Sequence, residues 1–160
     1  MAIEPLNRDF LDLLRAFVGA RVRFLVVGAY ALAVHGRPRA TGDLDVWIDA
    51  TPRNARLAHS ALRRFGAPLH DLTADDLAEP GLVFQIGVVP RRIDVLTEIS
   101  GVRFGEAWPR RVHGVFGDVR FPVIGLRDLL RNKRATGRPK DRLDAQDLEG
   151  LIRASKLRRG

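Results

Sequence analysis

The chain has no cysteine, one methionine, one tyrosine and two tryptophans among its 160 residues. Without cysteine there are no disulfides, no thiolate metal sites and no cysteine nucleophile. No stretch approaches the ~18 consecutive apolar residues of a membrane helix, and no signal-peptide pattern opens the chain, so a cytoplasmic protein is expected. The four histidines lack the spacing of metal ligands. Neither GxGxxG nor the Lys-Ser/Thr of a phosphate-binding P-loop is present, and no internal repeat is visible.

What is present is enough to build one domain. The sequence is 46% hydrophobic, which suffices for a core at this length, and no domain boundary interrupts residues 1–160. The net charge is +8 and it is uneven. Residues 126–160 carry eleven Lys and Arg against five Asp and Glu. That excess points to an anionic partner, nucleic acid or nucleotide phosphate, or else to a solvated arginine-rich surface.

Hydrophobic spacing predicts an amphipathic helix over 6–18, closed by Gly19, then a buried strand at 24–27. A small helix over 29–34 and a second strand over 44–48 follow. Thr51 and Pro52 read as the cap and first residue of another helix, and Thr73 and Asp76 have capping-box spacing for a short one. Two strands joined near Pro90 and a hairpin turning at Gly117-Asp118 come next. The chain ends in helices over 126–135 and 141–154, a C-terminal helical element at 126–154 and a basic tail at 155–160. The fold class expected is α+β: a small mixed sheet with helices packed on it.

The chemistry concentrates in four places. Gly28-Ala29 takes a strand into a helix, and a helix opened by glycine offers backbone N–H groups to phosphate. Asp43-Leu44-Asp45 sets two carboxylates on one face of a strand, roughly 6–7 Å apart at their Cα atoms. That reach suits one magnesium ion or a pair of ions. An EF-hand is excluded, because Trp47, Ile48 and Asn54 stand where it needs a ligand, a glycine and a glutamate. Asp94 is a lone acid in the apolar run Ile93–Leu96. It completes a three-carboxylate cluster if its strand lies beside the second one, or it is the partner of Arg91 or Arg92. The fourth place is Asn132-Lys133 with Gly137-Arg138-Pro139-Lys140-Asp141 and Asp144.

Together these pieces resemble the nucleotidyltransferase superfamily that shares the DNA polymerase β-like palm. The run Gly28-Ala29-Tyr30-Ala31-Leu32, His35-Gly36, Arg39, Thr41, Asp43, Asp45 and Ile48 is most similar to a small prokaryotic branch related to AbiE-type toxins and minimal nucleotidyltransferases. The resemblance implies magnesium-dependent transfer of a nucleoside monophosphate from an NTP to a hydroxyl of tRNA, a protein or a small molecule, with two ions. It implies Asp43, Asp45 and Asp94 as metal-binding and catalytic residues. Gly28, Ala29, Arg39, Thr41, Lys133, Arg138 and Lys140 would contact the nucleotide. Ala29 keeps its backbone N–H but offers no hydroxyl. A toxin–antitoxin component with a cognate antitoxin partner is within the resemblance. The alternative is a non-catalytic nucleic-acid- or partner-binding module that keeps the fold.

Overall fold

The computed structural model describes residues 7–37, 42–88 and 91–159. The elements in chain order are α1 (Arg8–Gly19), β1 (Phe24–Val27), α2 (Gly28–Val34), β2 (Leu44–Ile48), α3 (Pro52–Phe65), β3 (Val83–Ile86), β4 (Ile93–Leu96), α4 (Phe104–Ala107), β5 (Val112–Phe116), β6 (Val119–Val123), α5 (Leu126–Thr136) and α6 (Pro139–Arg159). Short 3-10 turns stand at Asp76–Ala78 and Trp108–Arg110.

The six strands form one mixed sheet in the order β3-β4-β2-β1-β6-β5. β1 runs antiparallel to β2, while β2 with β4 and β1 with β6 are parallel pairs. All four residues of β1 are buried, as a central strand covered on both faces requires. α1 packs against α3 and β6, and buries Phe10, Leu13, Leu14 and Phe17, the helical spacing read from the sequence.

Local chemistry sets the boundaries of these elements. The Thr51 hydroxyl accepts from the Asn54 N–H and Pro52 opens α3, as expected. Buried Asn54 then accepts from the Arg23 N–H at 2.8 Å and donates to the carbonyls of Arg23 at 3.0 Å and Asp49 at 2.8 Å. It ties the start of β1 to the end of β2. Thr73 and Asp76 exchange the two expected side-chain-to-backbone bonds, though the turn that follows is a single 3-10 turn. The second hairpin turns at Gly117-Asp118 as predicted.

The C-terminal tail differs in extent from the expectation. α6 starts at Pro139 and continues to Arg159, so most of the expected tail at 155–160 is helical. α4 and the Trp108–Arg110 turn had no counterpart in the sequence reading. The turn at Pro90 and the Leu6 end of the first helix lie outside the described residues.

Candidate active site

β2 and β4 lie side by side and in register, with Asp45 opposite Asp94. Opposed residues of neighbouring strands point to the same side of the sheet, so the two carboxylates meet. Asp43 precedes β2 by one residue and stands on that side by the two-residue period. The condition placed on Asp94 from sequence, that its strand neighbour the D-x-D strand, is met.

β1 and α2 close the site from the other flank. Gly28, at φ +68°, is the turn between them, and β1 pairs Val27 with Asp45. A Cβ on Gly28 would overlap Asp45 Oδ2. Glycine is therefore required here twice, for its backbone conformation and for the carboxylate above it.

The carboxylates share a cavity of about 470 Å³ with Gly28, Ala29, Arg92, Lys133, Arg138 and Lys140. Eight of the ten sequence-predicted site residues thus line this one cavity: Gly28, Ala29, Asp43, Asp45, Asp94, Lys133, Arg138 and Lys140. Arg39 and Thr41 lie outside the described residues. His35 is engaged elsewhere, with Nε2 2.8 Å from the Ile124 carbonyl oxygen.

The site's electrostatics are unbalanced at Asp45. Burial, then the Asp94 and Asp43 carboxylates, push it up to about 6, against the pull of Lys133 and Arg92. Arg92 is the residue that sequence reasoning offered only as a possible ion-pair partner. Its Nε donates to Asp94 Oδ1 at 2.8 Å and its Nη2 to Oδ2 at 3.2 Å, a two-pronged contact. The same guanidinium is 3.5 Å from Asp43 Oδ2, and its backbone N–H donates to Asp43 Oδ1 at 3.2 Å. Both readings of Asp94, cluster member and ion-pair partner, hold at once. Among the described residues, no three acidic or histidine side chains are closed around one point as a metal site, and a guanidinium stands among these carboxylates.

The cationic wall has its own internal structure. Lys133 is buried, with Nζ 3.1 Å from Asp141 Oδ1 and 3.2 Å from Asp144 Oδ2. Burial alone would raise the Asp141 carboxyl, but the Thr136 hydroxyl and the Lys133 ammonium hold it below its ordinary value. Lys133 is therefore first a pin between α5 and α6. Arg138 and Lys140 are exposed at the cavity mouth, with Arg138 Nε 3.7 Å from Asp141 Oδ2.

No protein-family model and no curated protein matches the sequence. Solved structures do match. The lincosamide antibiotic adenylyltransferase LnuA, with lincomycin bound, superposes with a TM-score of 0.57 at 13% identity, over 93% of this chain and 99% of that one. A Thermotoga maritima protein described as a nucleotidyltransferase gives 0.51 at 13% identity, over 98% and 94%. At such identity the likeness is one of fold, and it agrees with the sheet and helices described above: the chain has the nucleotidyltransferase fold.

Proposed function

We propose that the chain transfers a nucleoside monophosphate from an NTP to a hydroxyl, using magnesium. The observation that carries this reading is the in-register pairing of Asp45 with Asp94, beside Asp43 and beneath the Gly28 turn. Hard carboxylate oxygens fit magnesium, and the raised Asp45 marks a place where added positive charge is favourable. Asp43, Asp45 and Asp94 would hold the ion. Bound there, magnesium would neutralise triphosphate oxygens and polarise the α-phosphorus.

The protein's own groups do the rest. Gly28 and Ala29 line the cavity in which a triphosphate would lie, and their amides would hold its phosphates, with glycine allowing close approach. Arg138 and Lys140 supply positive charge at the mouth, as fork and point donors to phosphate respectively. Asp94 accepts the proton of the attacking hydroxyl. RNA and protein hydroxyls are acceptors that the sequence resemblance suggests, and the fold shared with LnuA, a lincosamide adenylyltransferase, adds an antibiotic-like small molecule.

The test is transfer of an α-labelled nucleotide, with pyrophosphate release, across RNA, protein and small-molecule acceptors. Asp43→Ala and Asp45→Ala should abolish labelling. No labelled acceptor, together with no magnesium-dependent nucleotide binding, sinks the reading.

A second reading, a binding module that keeps the fold without transfer, draws on Arg92, which already neutralises Asp94. It requires nucleic-acid binding that falls with salt and ignores magnesium. Binding unchanged in Asp43→Ala/Asp45→Ala favours it.

A further inference from the structure

Three acids on one face of β2 and β4 invite a cation, and the chain brings one of its own. Arg92 directly precedes β4 and lies two residues before Asp94, so the two share a side of the sheet. The pairing of β2 with β4 continues one step beyond the strand ends. There the Leu44 N–H donates to the Arg92 carbonyl at 2.9 Å, and the Arg92 N–H donates to Asp43 Oδ1 at 3.2 Å. Arg92 is thus the fourth corner of a rectangle whose other corners are Asp43, Asp45 and Asp94. Its sides are roughly 5 Å across the strands and roughly 6–7 Å along them.

The other cations of this cavity are placed differently. Lys133 is pinned by Asp141 and Asp144, while Arg138 and Lys140 stand exposed at the mouth. Arg92 instead forks onto the acids themselves, with two bonds to Asp94 and an ion pair to Asp43. Its side chain is 28% exposed and lines the cavity together with Gly28 and Ala29, so it is accessible to whatever enters there.

Asp43 and Asp94 cannot give the same oxygens both to this fork and to a divalent ion. Bidentate guanidinium bonds need both carboxylate oxygens in one plane, and a carboxylate turned to a metal loses that geometry. A released guanidinium needs another anion. Magnesium held by one or two carboxylates completes its coordination with substrate phosphate oxygens, so a phosphate would then lie beside the rectangle. The Arg92 backbone stays tied to Asp43 and Leu44, which keeps the freed side chain within reach of it. The planar fork fits phosphate as well as it fits carboxylate.

We infer that Arg92 is a phosphate-binding residue that exchanges partners. It forks onto Asp94 and Asp43 when these acids hold no metal, and onto the two non-bridging oxygens of the α-phosphate when they do. In the second position its charge offsets the charge that builds on the phosphoryl group under attack. The same movement releases the Asp94 oxygens for the metal and for the acceptor's proton. A purely structural Arg92 would stay on Asp94 throughout, and a purely blocking one would leave and touch nothing. The inference rests on the nucleotidyl-transfer reading.

Calorimetric titration of the full chain separates these roles. The probes are magnesium alone and, at saturating magnesium, the non-hydrolysable α,β-methylene analogues of ATP, GTP, CTP and UTP. Arg92→Gln should bind magnesium alone several-fold more tightly. It should bind the preferred analogue about tenfold more weakly, the size of one lost charge-assisted contact. Arg92→Lys keeps the charge and loses the fork, so it should show the same two signs at smaller size, and it serves alone where the glutamine variant does not fold. Opposite signs for the two ligands are the signature of exchange. Tighter binding of both ligands overturns the inference, because Arg92 then only blocks. Weaker binding of both overturns it as well, because Arg92 then only supports the acids. Magnesium-dependent analogue binding at wild-type affinity in Arg92→Gln removes the phosphate contact and leaves nucleotidyl transfer standing. Analogue binding that ignores magnesium in the wild type, with no acceptor ever labelled, removes the transfer reading and the exchange with it.

Discussion

Gly28 lies directly under Asp45: a single methyl group on Gly28 would occupy the place of Asp45 Oδ2. The glycine also sits at φ +68°, where an L side chain costs about 1–2 kcal/mol. Gly28→Ala should therefore lower stability by about 2 kcal/mol or more and displace the carboxylate. Urea unfolding checks the first effect. Nucleotide transfer checks the second, which should fall well beyond the stability loss. An alanine variant with wild-type stability and rate would mean that the turn relaxes freely.

Asp45 offers a pH prediction with a definite sign. Its carboxyl is raised to about 6 in the fold, against an ordinary value near 3.8. Between those values the folded state holds a proton that the unfolded chain releases, so this group's contribution to stability falls as pH rises from about 4 to about 6. Above that window the ionised Asp45 costs about 2–3 kcal/mol, at 1.36 kcal/mol per unit. Without magnesium, Asp45→Asn should be the more stable protein at pH 8, and the difference should vanish near pH 4. Thermal unfolding across pH, with metal chelated, decides it.

Arg92 spans Asp94 and Asp43, so it competes for the carboxylates with any cation that arrives. Arg92→Gln should lower stability in the absence of metal and enlarge the rise in Tm on adding magnesium, because ligand binding to the folded state stabilises it in proportion to affinity. Equal or smaller magnesium shifts in the variant would show that Arg92 and the metal do not share these oxygens.

Lys133 makes a different demand. It is buried against Asp141 and Asp144, and removing one member of a buried pair leaves uncompensated charge at about 3–5 kcal/mol. Lys133→Met should destabilise by that amount. Adding Asp141→Asn and Asp144→Asn should return part of it, measurable by denaturant midpoint. If the single variant loses transfer while keeping its stability, phosphate contact is the main role of Lys133.

Much of this site was legible before any coordinates. The alternation of Asp43 and Asp45, the lone Asp94 in an apolar run and the Gly28 turn are short-range patterns. Strand period and turn chemistry read such patterns directly. The pairing of β2 with β4 was only conditional, because parallel neighbours are joined by long connections that carry no local signal. Arg92 was visible as a partner for Asp94, yet its reach to Asp43 depends on that same pairing. Lys133 read as a phosphate contact; its burial between two helices follows from how α5 and α6 pack. The four-residue α4 is too short for any period to show.

The register between β2 and β4 also acts as a proofreader of folding. Side chains alternate across a strand, so a slip by one residue would turn Asp94 to the opposite face and swing Ile93 and Val95 out of the core together. Apolar burial and the triad of acids thus stand or fall on one alignment. A chain that has packed its core has, by the same act, assembled its carboxylates, and a misaligned chain can offer neither.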